Sequence, residues 1–274
     1  MAEAVFVAAG EGECFEATEL ARGPWDPGAQ HGGAPAALLM RAFERLVPDD
    51  ELSLARVTYE FVRPVPLGLL TVQAEVVRPG RRVRLSEGSI VTAQGIEVVR
   101  ARALHVRVAE PEAAADREST SDEHEGSSES CAGWPSGPET GTQSDLSPTH
   151  RPMFAPDAIE IRFLTGAFYE PGPATAWLRL RCPLVAGEEA SPRQRLAAAA
   201  DFGNGISSSL SWDEYTFINP DLTLYVERPP RGEWIGLRAQ TRIARGGVAV
   251  SESVLYDEHG RVGRATQALL VLAR

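Results

Sequence analysis

The chain has 274 residues, 43% of them hydrophobic, with a formal net charge of −11 and three cysteines. That is enough apolar content for a sizeable core. It excludes a disulfide framework, a cysteine-based metal site and the basic stripe that a nucleic-acid footprint needs. The charge is local: residues 109–150 hold ten acids against Arg117 alone, so they carry −9 and leave −2 for everything else. No lysine occurs, and all 27 basic residues are arginine.

In chain order, "MAEAVFVAAGEGE" has no basic region and only a short apolar stretch. With no long apolar run elsewhere, the expectation is a cytoplasmic protein without a membrane span. "CFEATEL" reads as a first strand. After His31-Gly32-Gly33, "APAALLMRAFERL" reads as a helix, with Pro35 in its first turn and Val47-Pro48 at its end. About four strands with period-two alternation follow, among them "LTVQAEV" and "VRLSEGSIV". Their short polar turns, such as "RPGR" and "TAQG", allow only antiparallel connections.

Residues 109–150 are rich in Ser, Glu, Gly and Pro and nearly empty of large apolar residues. They cannot bury enough surface to offset ordering entropy, which predicts a flexible acidic linker, with Trp134 its one candidate for docking. Beyond it "TAWLRLRCPL" is a strand. "PRQRLAAAADFGNGISSSL" is expected as one helix, opened by a capping box at Ser191-Pro-Arg-Gln194. Strands such as "IGLRAQTRI" and "VAVSESVLY" close the chain, with turns "RGG" and "DEHG".

The two parts repeat each other. Arg63-Pro64, Val83, Ser86-Glu87 and Gly95 recur as Arg228-Pro229, Val248, Ser251-Glu252 and Gly260, each 165 positions later. A constant offset over more than thirty residues reads as an internal duplication. Each copy runs strand, helix, then consecutive antiparallel strands, a sheet able to curl round its helix. The expected organisation is residues 1–108, a linker at 109–150, and residues 151–274.

Within this frame Asp201 stands out, a lone carboxylate between four alanines and a run of Gly, Asn and Ser. The order of "HGGAPAALLMRAF", "YEFVRPV", "AAADFGNG", "FINPDLTLYVERPP" and "GRATQALLV" resembles the double-hotdog acyl-CoA thioesterase II (TesB-like) family over residues 13–108 and 152–272. The resemblance implies an α+β double hotdog, two βαββββ repeats each with an antiparallel sheet wrapped round a central helix. It implies hydrolysis of an acyl-CoA thioester, in fatty acid metabolism, with no cofactor and no metal. The family's water-holding Asp and Gln match Asp201 and Gln267; its Thr falls on Asn219, with Thr223 the fallback if the register is shifted. His31, Gly32, Gly33, Gly203 and Gly205 are the substrate-binding candidates. Gly32-Gly33 suit a close backbone approach, and the backbone around Gly203–Gly205 suits an oxyanion hole. Trp25, Trp212, Tyr215 and Phe217 are acyl-tunnel or core residues.

The expected partner is an acyl-CoA, with no nucleic acid and no membrane, and the chain is expected to form a homo-oligomer, a dimer of double hotdogs. Two alternatives stay open. One is a non-catalytic acyl-group binding protein, kept alive by Asn219 in place of Thr. The other is an enoyl-CoA hydratase, disfavoured because no histidine follows Asp201 closely in sequence.

Overall fold

A computed structural model describes residues 3–10, 12–48, 52–108, 137–144, 146 and 151–274. Residues 33–46 form helix α1 (Gly33–Leu46), which starts at the N-cap Gly32 and stops at Val47, the residue before Pro48. Every residue from Gly33 to Phe43 is buried. A helix buried on all sides over its first three turns sits at a centre, and α1 packs on three strands and on a second helix, α2 (Pro192–Ala200).

The first-half strands are β1 (Phe6–Ala8), β2 (Cys14–Ala17), β3 (Leu52–Phe61), β4 (Gly68–Arg78), β5 (Val83–Thr92) and β6 (Glu97–Arg107). The second-half strands are β7 (Thr142–Gln143), β8 (Ile159–Thr165), β9 (Ala174–Leu180), β10 (Tyr215–Ile218), β11 (Asp221–Val226), β12 (Ile235–Ile243), β13 (Val248–Asp257) and β14 (Gly260–Ala273). All join one antiparallel sheet in the order β1-β2-β4-β5-β6-β3-β11-β14-β13-β12-β9-β8-β7, with β10 on β14. Read towards the junction, the halves run β2-β4-β5-β6-β3 and β9-β12-β13-β14-β11. At the junction β3 faces β11, and Thr58 lies opposite Thr223, their hydroxyls 3.3 Å apart and their positions again separated by 165. The hairpin glycines Gly95 and Gly260 both take the left-handed conformation (φ +75° and +119°) that other residues avoid.

Three local expectations change. The strand expected over "CFEATEL" ends at Ala17, because Thr18 caps a 3-10 turn at Glu19–Ala21. The helix expected to run through "DFGNGISSSL" ends at Ala200. Asp201 caps it, and a four-residue helix α3 (Gly203–Ile206) follows, since Asp and two glycines hold helical geometry poorly. The capping box is half formed. Ser191 Oγ accepts from Gln194 N–H at 3.1 Å, but the Gln194 side chain donates to Glu44 at 2.8 Å instead of folding back. Of the acidic segment, residues 109–136, 145 and 147–150 lie outside the described residues, Trp134 among them. The described remainder forms a 3-10 turn at Pro138–Thr140 and the strand β7 on β8, with Arg162 donating to Pro138 O.

The distal half of α1 is tied to the loop before α2 by buried charge. Arg41 is 4% exposed and donates to Glu13 at 2.6 Å and to Glu188 at 2.7 Å. The Arg41 hydrogen bond holds Glu188 below the usual carboxylate range. A guanidinium taken out of water needs such partners. Among the described residues no helix is long and apolar enough to cross a membrane.

Candidate active site

The two helices meet at their small residues. A Cβ on Gly33 would lie 2.4 Å from Ala198 O, backbone against backbone, and one on Gly32 would lie 2.7 Å from Asp201 Oδ2. Gly33 allows the close backbone approach expected of the pair, and Gly32 makes room for the side chains of Asp201 and Phe61. Gly33→Ala is expected to force α1 and α2 apart, costing about 1–3 kcal/mol as overpacking does. That corresponds to a Tm lower by roughly 3–10 °C in a thermal melt.

Four segments converge on Asp201. It follows α2, and its side chain is buried. From the β10–β11 turn, Asn219 Nδ2 donates to Asp201 Oδ1 at 2.8 Å and to Asp221 O at 3.1 Å. From β14, Gln267 Nε2 donates to the same Oδ1 at 3.0 Å. Gln267 Oε1 accepts from Asn204 N–H at 3.1 Å, which fixes the orientation of its amide. The second carboxylate oxygen faces the loop before α1, where His31 Nδ1 lies 3.2 Å from Oδ2. That loop is pinned by hydrogen bonds from His31 N–H to Ala21 O and from Gln30 N–H to Val65 O.

Burial pushes the Asp201 carboxyl from its ordinary value of 3.8 up to about 7, although Asn219, the Gly33 N–H and Gln267 all pull it down. Burial pushes His31 the other way, from 6.5 down to about 3. Its ring packs against Phe202 (4.2 Å between centroids) and Phe154 (5.2 Å), and burial leaves its charged form poorly solvated. His31 Nδ1 also accepts from Gly33 N–H at 3.1 Å, so that nitrogen carries no proton for Asp201. Although the contact is close enough for an ion pair, both partners favour their neutral forms. The proton of the pair sits on Asp201 until the pH passes about 7.

Asp201, Asn219, His31, Gly32 and Gly205 line a cavity of about 510 Å³ that opens to solvent. Trp25, Trp212 and Phe217 form part of its wall, with Trp25 and Trp212 stacked 4.8 Å apart; Tyr215 is not part of it. Gln267, Gly33 and Gly203 stand behind the carboxylate, off the cavity wall. A Cβ on Gly203 would meet Ser253 Oγ at 2.6 Å and Gln267 Oε1 at 3.1 Å, so this glycine makes room for the amide. The Thr223 hydroxyl pairs with that of Thr58, whereas Asn219 donates to the carboxylate.

Sequence reasoning missed three things. It set histidine apart from Asp201, because His31 is 170 positions away in the chain and arrives only through the meeting of the halves. It missed Phe154 and Phe202, which strip His31 of solvent. It also missed Asn204, which orients Gln267; the signal was present, since Asn204 lies one helical turn after Asp201.

Residues 21–106 match the family model of the acyl-CoA thioesterase N-terminal domain, and residues 128–271 match that of the acyl-CoA thioesterase C-terminal domain. A comparison with curated protein sequences returns no match. Among solved structures, a Thermobifida fusca protein assigned as a thioesterase II is similar at TM-score 0.69 and 17% identity, covering 99% of this chain and 98% of that one. A hot dog fold protein of unknown function from Alicyclobacillus acidocaldarius matches at TM-score 0.69 and 15% identity, over 97% and 95% of the two chains. The acyl-CoA thioesterase II TesB2 of Mycobacterium marinum matches at TM-score 0.63 and 15% identity, over 96% and 93%. At these identities the likeness shows a hotdog fold.

Proposed function

The chain belongs to the acyl-CoA thioesterase family, and from that premise we propose that it hydrolyses an acyl-CoA thioester with a water activated by Asp201. The observation that carries this reading is a buried carboxylate at the wall of a cavity, with its pKa raised to about 7 and one oxygen held by two amides. A general base works best when its pKa lies near the working pH, and such a base contributes about 10²–10⁴-fold.

In this mechanism Oδ1 is kept by Asn219 and Gln267, and Oδ2 takes a proton from the water as its oxygen attacks the thioester carbonyl carbon. The carbon–sulfur bond then breaks, the acid and the CoA thiolate separate, and the proton on Asp201 passes to the thiolate or to solvent. Asn219 stands at the cavity wall with its two amide hydrogens on Asp201 Oδ1 and Asp221 O, so it holds the carboxylate and leaves its carbonyl oxygen to accept a hydrogen bond from the attacking water. Gln267 is a positioning residue behind Asp201. Gly32, at the N-terminus of α1 and bare of a side chain, lets the thioester approach where backbone N–H groups and the positive end of the helix favour a developing oxyanion. His31, neutral and packed against Phe154 and Phe202, closes the Oδ2 side of the site, and burial keeps Asp201 protonated at acid pH.

The fold in this reading is a double hotdog of residues 1–108 and 151–274. The offset of 165, the matching strand orders of the halves and the Thr58–Thr223 pair at their junction support it. The reaction centre of this reading lies at the end of α2, where Asp201 reaches the cavity. At the end of α1, Glu44 is taken up by Ser191 and Gln194, and Arg41 and Arg45 by Glu13 and Glu188.

The test is release of free thiol from short, medium, long and aromatic acyl-CoAs. Release from at least one class is expected. Hydration of an enoyl-CoA without thiol release would overturn the reading in favour of a hydratase, whose chemistry pairs Asp with His. Asn219→Leu is expected to lower kcat by about 10²-fold, as loss of one hydrogen-bonding group at a reacting centre does. Asn219→Thr, which restores a hydroxyl at the cavity wall, should retain most activity in the same assay.

A further inference from the structure

The internal duplication gives one pair of arginines for comparison, Arg63 and Arg228, 165 positions apart. Arg63 stands two residues after β3 and Arg228 two residues after β11, the equivalent strands that meet at the junction. Arg228 is spent within the fold. It donates to Asp257 through both terminal nitrogens, at 2.5 and 2.6 Å, and to Gly260 O at 3.1 Å. Asp257, the last residue of β13, is fully buried and also accepts from Arg231 N–H and His259 N–H, so the pair closes a hairpin. The position equivalent to Asp257 in the first half is Thr92, the last residue of β5. Its hydroxyl keeps the turn contact, accepting from Gln94 N–H at 3.3 Å where Asp257 accepts from His259 N–H at 2.8 Å. Threonine holds the turn and brings no charge. Arg63 is thereby released from the contact its counterpart makes, and among the described residues no carboxylate lies within ion-pair distance of it.

Arg63 is exposed and lines the cavity that holds Asp201, and no other arginine or lysine does so among the described residues. Asp26, the exposed carboxylate of the lining, accepts from Gly28 N–H at 2.8 Å. The chain leads outward here: Tyr59 is fully buried, Phe61 half-buried and Arg63 exposed. Phe61 marks the reacting end, since a Cβ on Gly32 would lie 2.9 Å from its ring and 2.7 Å from Asp201 Oδ2. Arg63 is two residues further towards solvent, about 7 Å along an extended chain. A lone cation at the mouth of an aromatic-walled cavity suits an anion on the part of the substrate that stays outside. A plain acyl chain carries no charge. The coenzyme arm carries phosphates, whose oxygens a guanidinium matches with paired N–H donors. We infer that Arg63 receives the phosphates of the coenzyme, so that the arm leaves the cavity over the loop between β3 and β4, while Arg228, its repeat, stays committed to Asp257. This inference rests on the thioesterase reading above and deepens it, because it names the residue that tells a CoA thioester from the same acyl thioester without phosphates.

The experiment compares thioesters of one acyl group on two carriers, CoA and pantetheine, the second lacking every phosphate. Thiol release gives kcat and KM for the wild type and Arg63→Gln at low and high salt, and titration of CoA itself gives Kd without turnover. Arg63→Gln breaks no ion pair of the fold, so its Tm should match that of the wild type. The expected result is a KM for the CoA thioester raised about three- to tenfold with kcat kept, as for an exposed charged contact, and no such rise for the pantetheine thioester. The wild type's preference for CoA should shrink as salt is added. An equal loss on both carriers would assign Arg63 to the acyl group or the cavity wall and overturn the inference. So would an unchanged KM and Kd for the CoA compounds. Weaker CoA binding by Arg63→Gln, with no thiol release from either carrier by the wild type, would sustain the inference and overturn the hydrolytic reading instead.

Discussion

Between about pH 8 and pH 5, kcat/KM for thioester hydrolysis is expected to fall about a hundredfold, along a curve with one inflection near 7. The base works only as a carboxylate, and its pKa is raised to about 7. Below that value each pH unit removes about nine-tenths of the competent form. An ordinary exposed aspartate, at 3.8, would leave the rate flat over the same range. The inflection should move with the donors to Oδ1. Gln267→Leu deletes one hydrogen bond to the carboxylate form, so its inflection should shift upward, with a larger rate loss at pH 7 than at pH 9. A merely structural role for Gln267 would lower the rate by the same factor at both. The check is thiol release followed across the pH range with the coenzyme arm held constant.

Asp201→Asn is expected to make the protein more stable at neutral and alkaline pH. The folded state holds a proton on Asp201 up to about pH 7, whereas the unfolded chain releases it near 3.8. The native state therefore binds more protons than the unfolded state between those values, and stability falls as pH rises through that window. His31 has the opposite sign. Its folded pKa of about 3 lies below 6.5, so its contribution is present above 6.5 and is lost as pH falls towards 3. In the wild type the two slopes oppose each other between about pH 4 and 6.5, which flattens the net dependence of the site. Asparagine is shaped like the protonated acid. Its oxygen can accept from Asn219 and Gln267, and its N–H can face His31 Nδ1, with no charge to desolvate. The difference in unfolding free energy between variant and wild type should therefore be small near pH 4, grow up to about pH 7, and level off above. Its plateau should be on the order of a few kcal/mol. Denaturant unfolding of both proteins over this range measures it. A difference constant with pH would show that Asp201 is not buried against its will. Such a cost carried in the native state is what a functional group, as opposed to a structural one, is expected to leave.

Much of this architecture is legible in the sequence because local rules suffice for it. Pro35 and Val47-Pro48 bracket α1, period-two alternation marks the long strands, and the 165-residue offset ties Arg63-Pro64 to Arg228-Pro229. The approach of Gly33 to Ala198 was visible as small residues on both helices. Other features are decided at longer range. The end of α2 at Asp201 depends on where the carboxylate finds donors, and those come from Asn219 and Gln267 on other strands. Residues 137–143 carry little apolar character of their own, and their turn and strand form on the exposed edge of β8. The contact between His31 and Asp201 has no sequence signal, since it exists only when the two halves meet. The order in depth of the site residues was equally hidden. The sequence reading gave Gln267 to the attacking water and Gly203 to the substrate, and neither residue lines the cavity.

The most direct measurement is free-thiol release at about pH 8 by the wild type and by Asp201→Asn, on the best acyl-CoA of the panel. At that pH the variant is expected to be at least as stable as the wild type. Rapid release by the wild type and a loss of about 10²–10⁴-fold in the folded variant is the expected result. Equal release by both would contradict the assignment of Asp201 as the base that activates the water.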